Sequence, residues 1–298
     1  MVIELPDMRT ADVDGPVAYR EWTGPPGTTF VLVHGLGGSH LNWVQVAPGL
    51  AGLGRVLALD LPGFGFTVRD GRGSGLMDQR RVLSRFIAAQ ATGRVVLMGN
   101  SMGCVTGIMQ AAVEPGQVAG LVLTGSPFPR VRGAWPHPAV IAGFAAYDAP
   151  GLGPSLLESR MRRLDAERAV RMGLRFLVAD PSSISEEIVQ LTATQLRERS
   201  LDPDAPAAFL DAWRSLRRLG RRPDIVRRAM DGVRCSVFVM HGRRDRVVPA
   251  SYAEAALRRY PTWRGRIFPD LGHVPQMEAP GRWLAEVADW HAEALDRS

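Results

Sequence analysis

Short segments that are largely apolar on both faces alternate with segments of helical spacing between residues 28 and 126. This alternation restricts the fold more than any other feature of the chain. The strand-like segments are TTFVLVHG, RVLALD, RVVLMG and QVAGLVLTGS. Strands without polar positions need cover on both faces, and a parallel sheet with helices on either side provides it. The pattern predicts an α/β protein with a mostly parallel central sheet and helices on both faces.

The alternation stops in the middle of the chain and then returns. Between about residues 127 and 234 the spacing is helical, with many prolines and arginines and no strand candidate. The segment CSVFVMHG then reads as a strand, and GRIFP and a last helix from about Pro280 follow. We therefore predict an α/β core in two parts, residues 1–128 and 233–298, with a helical cap inserted at residues 129–232.

Charge and composition exclude several classes of protein. The net charge is +6, but all 36 basic residues are arginine, and they are scattered along the chain and mostly lie near acids, as in RMRRLDAERAVRMG. Nucleic-acid-binding proteins concentrate positive charge on one face or carry a known motif. The two cysteines have no metal-binding spacing, and neither a signal peptide nor a membrane span is recognisable. We predict a cytoplasmic protein without a nucleic-acid or membrane partner, either a monomer or a homodimer.

The segment GNSMG, residues 99–103, lies between a predicted strand and a predicted helix. Ser101 at such a tight corner is forced into a strained backbone conformation, and Gly99 and Gly103 avoid steric clash on either side. The strain lifts the serine hydroxyl clear of the sheet, at the edge where parallel strands present their ligands. Ser101 is therefore the predicted nucleophile.

A serine hydroxyl needs a base to take its proton, and the base needs a carboxylate to fix its tautomer. His273 is the best placed of the six histidines, in the loop between the last predicted strand and the last helix. Asp245 follows the strand that resumes after the helical segment. The chain order Ser101, Asp245, His273 is the order expected for this architecture.

The oxyanion of an acyl-transfer intermediate needs preorganised donors. The backbone N–H of Met102, at the start of a helix, is one candidate and also has a favourable helix dipole. The second donor is predicted in HGLGG, residues 34–38, where glycines allow a close approach of the main chain. We favour the N–H of Leu36.

Four motifs together resemble the α/β-hydrolase-fold serine hydrolases: HGLGG at residue 34, LDLPGFG at 59, GNSMG at 99, and HGRRDRVVP with GHVPQMEAP near the C-terminus. The resemblance extends from about residue 30 to the end of the chain. It implies Ser101, His273 and Asp245 as a triad, Leu36 and Met102 as oxyanion donors, and no cofactor. Asp60 matches a family position that is generally structural.

The resemblance leaves several reactions open. Haloalkane dehalogenases and epoxide hydrolases of this fold have aspartate at the elbow, so Ser101 argues against both. Asn100 beside the nucleophile resembles the carbon–carbon bond hydrolases of aromatic ring degradation. Those enzymes usually have tryptophan after the catalytic histidine, whereas Val274 stands here. A carboxylic ester, thioester or lactone hydrolase is the main hypothesis. The alternatives are a carbon–carbon hydrolase, a perhydrolase and a non-catalytic receptor.

The predicted cap should set the choice of substrate. Its apolar residues at helical spacing are expected mostly to pack the cap, and some could line an apolar acyl pocket. They are Phe144, Tyr147, Leu156, Leu157, Met161, Leu164, Met172, Phe176 and Leu177. The expected partner is thus a small ester-like molecule with an apolar acyl part of medium length.

Overall fold

The computed structural model describes residues 4–149 and 153–295, and eight strands in this part of the chain form one sheet. Their order across the sheet is β1-β2-β4-β3-β5-β6-β7-β8. The strands are β1 Met8–Asp12, β2 Pro16–Trp22, β3 Thr28–Val33, β4 Arg55–Leu59, β5 Arg94–Asn100, β6 Gly120–Thr124, β7 Ser236–Gly242 and β8 Arg264–Phe268. All neighbouring pairs from β4 to β8 are parallel. The predicted α/β fold with a mostly parallel sheet is confirmed.

Twelve α-helices lie in the described part. They are α1 Ala47–Ala51, α2 Leu76–Gln90, α3 Met102–Val113, α4 Pro138–Tyr147, α5 Gly153–Arg163, α6 Ala166–Leu177, α7 Glu186–Arg199, α8 Ala205–Gly220, α9 Pro223–Gly232, α10 Ala250–Arg259, α11 Pro275–Glu278 and α12 Pro280–Leu295. Short 3-10 helices at His40–Asn42, Pro115–Gln117 and Pro181–Ser183 complete the elements.

Two hydrophobic layers cover the two faces of the sheet because successive strand residues point to opposite sides. In β5, Leu97 packs in the layer that contains α2, α3 and α10. Its neighbours Val96 and Met98 pack in the other layer, with α1 and the tryptophans Trp283 and Trp290 of α12. This two-sided burial is the reason the central strands are almost entirely apolar.

The first two strands are antiparallel and were not predicted from the sequence. Strand β1 pairs with β2, and β2 pairs with β4. The β1 segment MRTAD buries only Ala11 fully. An edge strand that is covered on one face has too few apolar positions to be distinguished from a loop.

Six helices, α4 to α9, lie between β6 and β7, in the segment for which a helical cap was predicted; we call them the β6–β7 helices. The longest predicted helical stretch, from Ser155, is divided in two, because Asp165 accepts a hydrogen bond from the N–H of Arg168 and caps α6. Helix α9 buries Val226 and Met230 in the same layer as α3. The division of the chain at residues 128 and 232 remains a prediction.

The parallel strands end at one edge of the sheet, and the predicted site residues follow these ends. Ser101 comes directly after β5, Asp245 follows β7, and His273 follows β8. In open α/β sheets ligands bind outside this carboxyl edge. The topology thus brings together residues that are up to 172 positions apart in the sequence.

Candidate active site

Ser101 occupies a strained turn between β5 and α3. Its backbone has φ 51° and ψ −112°, and it is one of only three non-glycine residues with positive φ in the described part of the chain. The Ser101 N–H donates to the carbonyl of Thr124 at 3.0 Å, and its carbonyl accepts from the N–H of Cys104 at 3.0 Å. A conformation of this kind costs about 1–3 kcal/mol and persists only when its surroundings impose it.

The glycines beside Ser101 lie where the backbone leaves no room for a side chain. A Cβ on Gly99 would lie 2.5 Å from the nitrogen of Cys104, and a Cβ on Gly103 would lie 2.2 Å from the carbonyl oxygen of Val33. Any larger residue would push α3 away from β3 or β5. The turn therefore depends on both glycines that the sequence pattern singled out.

Asp245 and His273 are in direct contact. The Nδ1 atom of His273 lies 2.7 Å from Oδ2 of Asp245, and the two side chains are 4% and 0% exposed. The other carboxylate oxygen accepts the backbone N–H groups of Val247 at 2.7 Å and Val248 at 2.8 Å. Burial favours the neutral acid, but the charge of His273 and hydrogen bonds from His241 and His273 hold the pKa of Asp245 well below its usual range.

His241 is a third member of this buried group, and the sequence analysis did not identify it. Its Nε2 atom lies 3.0 Å from Oδ2 of Asp245 and 2.9 Å from the carbonyl oxygen of Val248. Both neighbours accept hydrogen bonds, so Nε2 carries the proton. The Nδ1 atom is buried without a partner. A histidine that ends a buried strand four residues before an aspartate is the sequence signal that could have indicated this contact.

Ser101 and His273 are brought together through their neighbours. The amide of Asn100 donates to the carbonyl of His273 at 3.3 Å and to that of Thr124 at 3.1 Å. A Cβ on Gly125 would lie 3.1 Å from Nδ1 of His273. Among the described residues no hydrogen bond joins the Ser101 hydroxyl to the imidazole. Such bonds are often long without substrate and tighten when it binds.

The loop after β3 packs directly on Ser101. A Cβ on Gly35 would lie 3.2 Å from Cβ of Ser101, so Leu36 follows a point of close contact. The described hydrogen bonds include none from the backbone N–H of Leu36, and the first N–H groups of a helix such as α3 lack partners within the helix. The N–H groups of Leu36 and Met102 therefore have no hydrogen-bond partner among the described residues.

A second buried pair, His40 and Asp60, joins the segment after β3 to the segment after β4. The Nδ1 atom of His40 lies 3.0 Å from both carboxylate oxygens of Asp60, and Nε2 accepts from Nε of Arg20 at 3.1 Å. Both nitrogens of His40 are thus occupied. Burial opposes the charge of Asp60, but His40 lowers the pKa of this carboxyl. His40 is fully buried.

Aromatic residues of the β6–β7 helices form a small core of their own and reach the site. Phe144 stacks on Trp213 with ring centroids 4.2 Å apart, and Tyr147 and Leu157 are buried with them. The ring of Phe209 lies 3.2 Å from the place of a Cβ on Gly37. Leu156 and Met172 are exposed instead. The side chain of Met161 lies outside the described residues.

Neither a metal site nor a membrane span is found in the part of the chain that the structure describes. No group of three or more histidine, cysteine or acidic side chains there could hold a metal ion. No described helix is long and apolar enough to cross a bilayer. Cys104 is buried, which raises the pKa of its thiol to about 12, and Cys235 is half-buried.

Comparison with known proteins adds sequence relatives of several activities. The chain is 28% identical to a dihydrolipoyllysine-residue acetyltransferase component of the acetoin cleaving system from Pseudomonas putida, over 92% of this chain but 66% of that protein. It therefore spans a little under two thirds of that relative's length. It is 29% identical to 2-hydroxy-6-oxo-6-(2'-aminophenyl)hexa-2,4-dienoic acid hydrolase of Metapseudomonas resinovorans, over 89% of this chain and 84% of that one.

The name of a third relative describes an ester hydrolase. Pimeloyl-[acyl-carrier protein] methyl ester esterase of Edwardsiella ictaluri is 27% identical over 87% of this chain and 92% of that protein. Among solved structures, Cfl2 of Burkholderia cenocepacia superposes with a TM-score of 0.78 at 23% identity, covering 95% of each chain. The sequence model of the alpha/beta hydrolase family matches residues 30–287.

Proposed function

Because the chain belongs to the alpha/beta hydrolase family, we propose that it is a serine hydrolase that cleaves a carboxylic ester, thioester or lactone. The observation that carries the proposal is the buried contact of 2.7 Å between His273 and Asp245, beside a serine in a strained turn. A carboxylate at Nδ1 fixes the tautomer in which Nε2 is free to accept a proton. The esterase among the relatives supports this substrate class.

The proposed reaction proceeds through an acyl-enzyme. The Ser101 oxygen attacks the carbonyl carbon while Nε2 of His273 takes the hydroxyl proton. The N–H groups of Leu36 and Met102 receive the negative oxygen, and each such donor is worth about 3 kcal/mol of barrier height. The intermediate expels the alcohol, which takes the proton from His273. Water then repeats the sequence and releases the acid.

The proposed substrate has an apolar acyl part of medium length. The support is Phe209, which lies against Gly37 in the loop that would bind the oxyanion, together with the neighbouring apolar side chain of Leu36. A series of p-nitrophenyl esters should peak between butanoyl and octanoyl chains. A maximum at acetyl would contradict this assignment.

The serine assignment is tested by Ser101→Ala in the same ester assay. The turnover should fall at least about 1000-fold because the nucleophile is lost. Ser155→Ala, which changes an exposed serine on α5, is the matched control and should keep full activity. A fluorophosphonate should label the wild type but not Ser101→Ala. Folded wild-type protein that neither turns over nor labels would instead indicate the receptor alternative.

Carbon–carbon bond hydrolysis is the second candidate, favoured by the relative from Metapseudomonas resinovorans. The Asn100 amide, which suggested this reaction in the sequence, is occupied by the carbonyls of Thr124 and His273. The Asn100 side chain therefore stabilises the turn at Ser101, and it gives the carbon–carbon hydrolase candidate no further support. A ring-fission diketone that is hydrolysed faster than all the esters would favour the second candidate over the first.

A further inference from the structure

Glu278 links two segments that are almost one hundred residues apart in the sequence. Its Oε1 accepts the N–H groups of Ala179 at 2.9 Å and Asp180 at 3.2 Å. Its Oε2 accepts the N–H of Gly272 at 2.7 Å. Gly272 directly precedes His273, whereas Ala179 and Asp180 follow α6 and belong to the segment between β6 and β7.

The loop of His273 also touches this segment directly. The N–H of His273 donates to the carbonyl of Leu177 at 2.6 Å. A Cβ on Gly272 would lie 2.7 Å from the same carbonyl oxygen and 2.8 Å from the nitrogen of Ala179. The backbone of residues 272–273 therefore packs directly on residues 177–180. Glu278 accepts hydrogen bonds from both of these segments.

A carboxylate suits this place because it has two acceptor oxygens and no donor. Glu278 is only 8% exposed. Burial raises the pKa of its carboxyl, against the hydrogen bonds from Gly272, Asp180 and Ala179. Burying a charge is costly unless it is paired, and three backbone donors from two segments are the partners here. The result is a fixed distance between Gly272 and the β6–β7 segment.

We propose that Glu278 is a positioning residue that holds the backbone of Gly272 and His273, and so keeps the His273 imidazole aligned between Asp245 and Ser101. Glu278 does not touch the substrate. It acts through the N–H of Gly272, one residue before the base. This inference rests on the proposed function, since alignment matters only if His273 moves a proton.

The test is Glu278→Gln, which keeps the size of the side chain but replaces one acceptor oxygen with a donor. Asp270→Asn is the matched control, because Asp270 lies two residues before Gly272 and is exposed, paired with Arg282. The kcat per active site, counted by complete fluorophosphonate labelling, should fall about 10- to 100-fold in Glu278→Gln. The KM should stay within about threefold, and Asp270→Asn should match the wild type.

A purely structural role would lower the number of labelled sites and leave the kcat per site unchanged, and that result would overturn the proposal. An equal loss in Asp270→Asn would overturn it too. If Glu278→Gln does not fold, Glu278→Asp keeps the charge but is one methylene shorter and cannot reach both segments. It should show the same fall in kcat per site, and full activity in that variant would reject the role.

A second readout separates this proposal from the proposed function. The proton shared by His273 Nδ1 and Asp245 should give a low-field NMR resonance in the wild type. Glu278→Gln should broaden or remove it, and Asp270→Asn should not. If wild-type protein hydrolyses no ester but the resonance responds in this way, the positioning role stands and the proposed function fails. Active wild type with an unchanged resonance in Glu278→Gln would contradict the positioning role alone.

Discussion

His241 shares the carboxylate of Asp245 with His273, and the contact explains how an aspartate so deeply buried stays charged. The carboxylate receives two backbone N–H groups on one oxygen and faces two imidazoles on the other. An isolated buried carboxylate would take up a proton instead. The same carboxylate oxygen of Asp245 therefore contacts both His241 and His273, the proposed base.

Replacement of His241 should lower the rate as well as the stability. In His241→Phe the carboxylate of Asp245 loses one N–H donor and is held less firmly against His273. We expect kcat/KM for an ester to fall about tenfold. Unfolding in urea should show a loss of about 1–3 kcal/mol.

His241→Gln is the rescue variant, because its amide nitrogen can donate from nearly the place of Nε2. It should recover most of the rate. An unchanged rate in His241→Phe, together with a large loss of stability, would mean that His241 only fills space.

Helix α8 caps the start of helix α2, although the two elements are about 130 residues apart. The first N–H of α2, on Leu76, donates to Oγ of Ser215 at 3.0 Å. The N–H of Ser74 donates to Oδ2 of Asp211 at 2.8 Å. The residue before α2 is Gly75, which has no side chain to cap the helix. A helix between β6 and β7 thus supplies what the local sequence lacks.

Removal of the hydrogen bond from Leu76 to Ser215 should lower the free energy of unfolding. Ser215→Ala leaves the Leu76 N–H without its acceptor, so we expect a loss of about 1 kcal/mol in urea unfolding. Amide exchange at Leu76 should become faster. Ser155→Ala, an exposed serine within α5, should change stability by less than about 0.5 kcal/mol. Equal effects of the two substitutions would show that the capping contact adds nothing.

The whole molecule should lose stability as the pH falls below neutral, and His34 is one named cause. His34 is fully buried; Nδ1 lies 2.7 Å from the carbonyl of Gly35, and Nε2 accepts the N–H of Leu61 at 3.1 Å. Burial lowers its pKa to about 4, although the charge of Asp60 opposes the shift. Protonation at Nε2 would remove the acceptor that the Leu61 N–H needs.

The pH window follows from the two states of His34. The unfolded chain takes up the proton near pH 6.5, and the folded protein only near pH 4. Stability is therefore full above about pH 6.5 and falls by up to about 1.4 kcal/mol per pH unit between these values. His34→Asn should flatten this part of the curve in urea unfolding, whatever its overall stability. An unchanged slope in His34→Asn would contradict this assignment.

The central sheet and the residues at its edge could be read from local patterns. Strands covered on both faces must be apolar throughout, and a serine between glycines at a strand end fits only a tight turn. Strands β1 and β2 could not be found in this way. Strand β1 lies at the edge of the sheet and buries only Ala11, and in β2 the polar residues Arg20 and Glu21 interrupt the buried positions. The division of the helical stretch at Asp165 was also missed, since a cap in a long polar helix resembles an ordinary surface residue.

The sequence by itself determined the alternating α/β order and the strained place of Ser101, and it led to Asp245 and His273 as the predicted partners of that serine. Tertiary structure alone decided which other side chains meet them. His241, Glu278 and Ser215 form hydrogen bonds that no local sequence pattern indicates. A hydrogen bond depends on two atoms lying within about 3 Å of each other after folding. Local sequence determines the conformation of each turn and helix. The contacts between turns form only when the folded sheet places the loops after different strands next to one another.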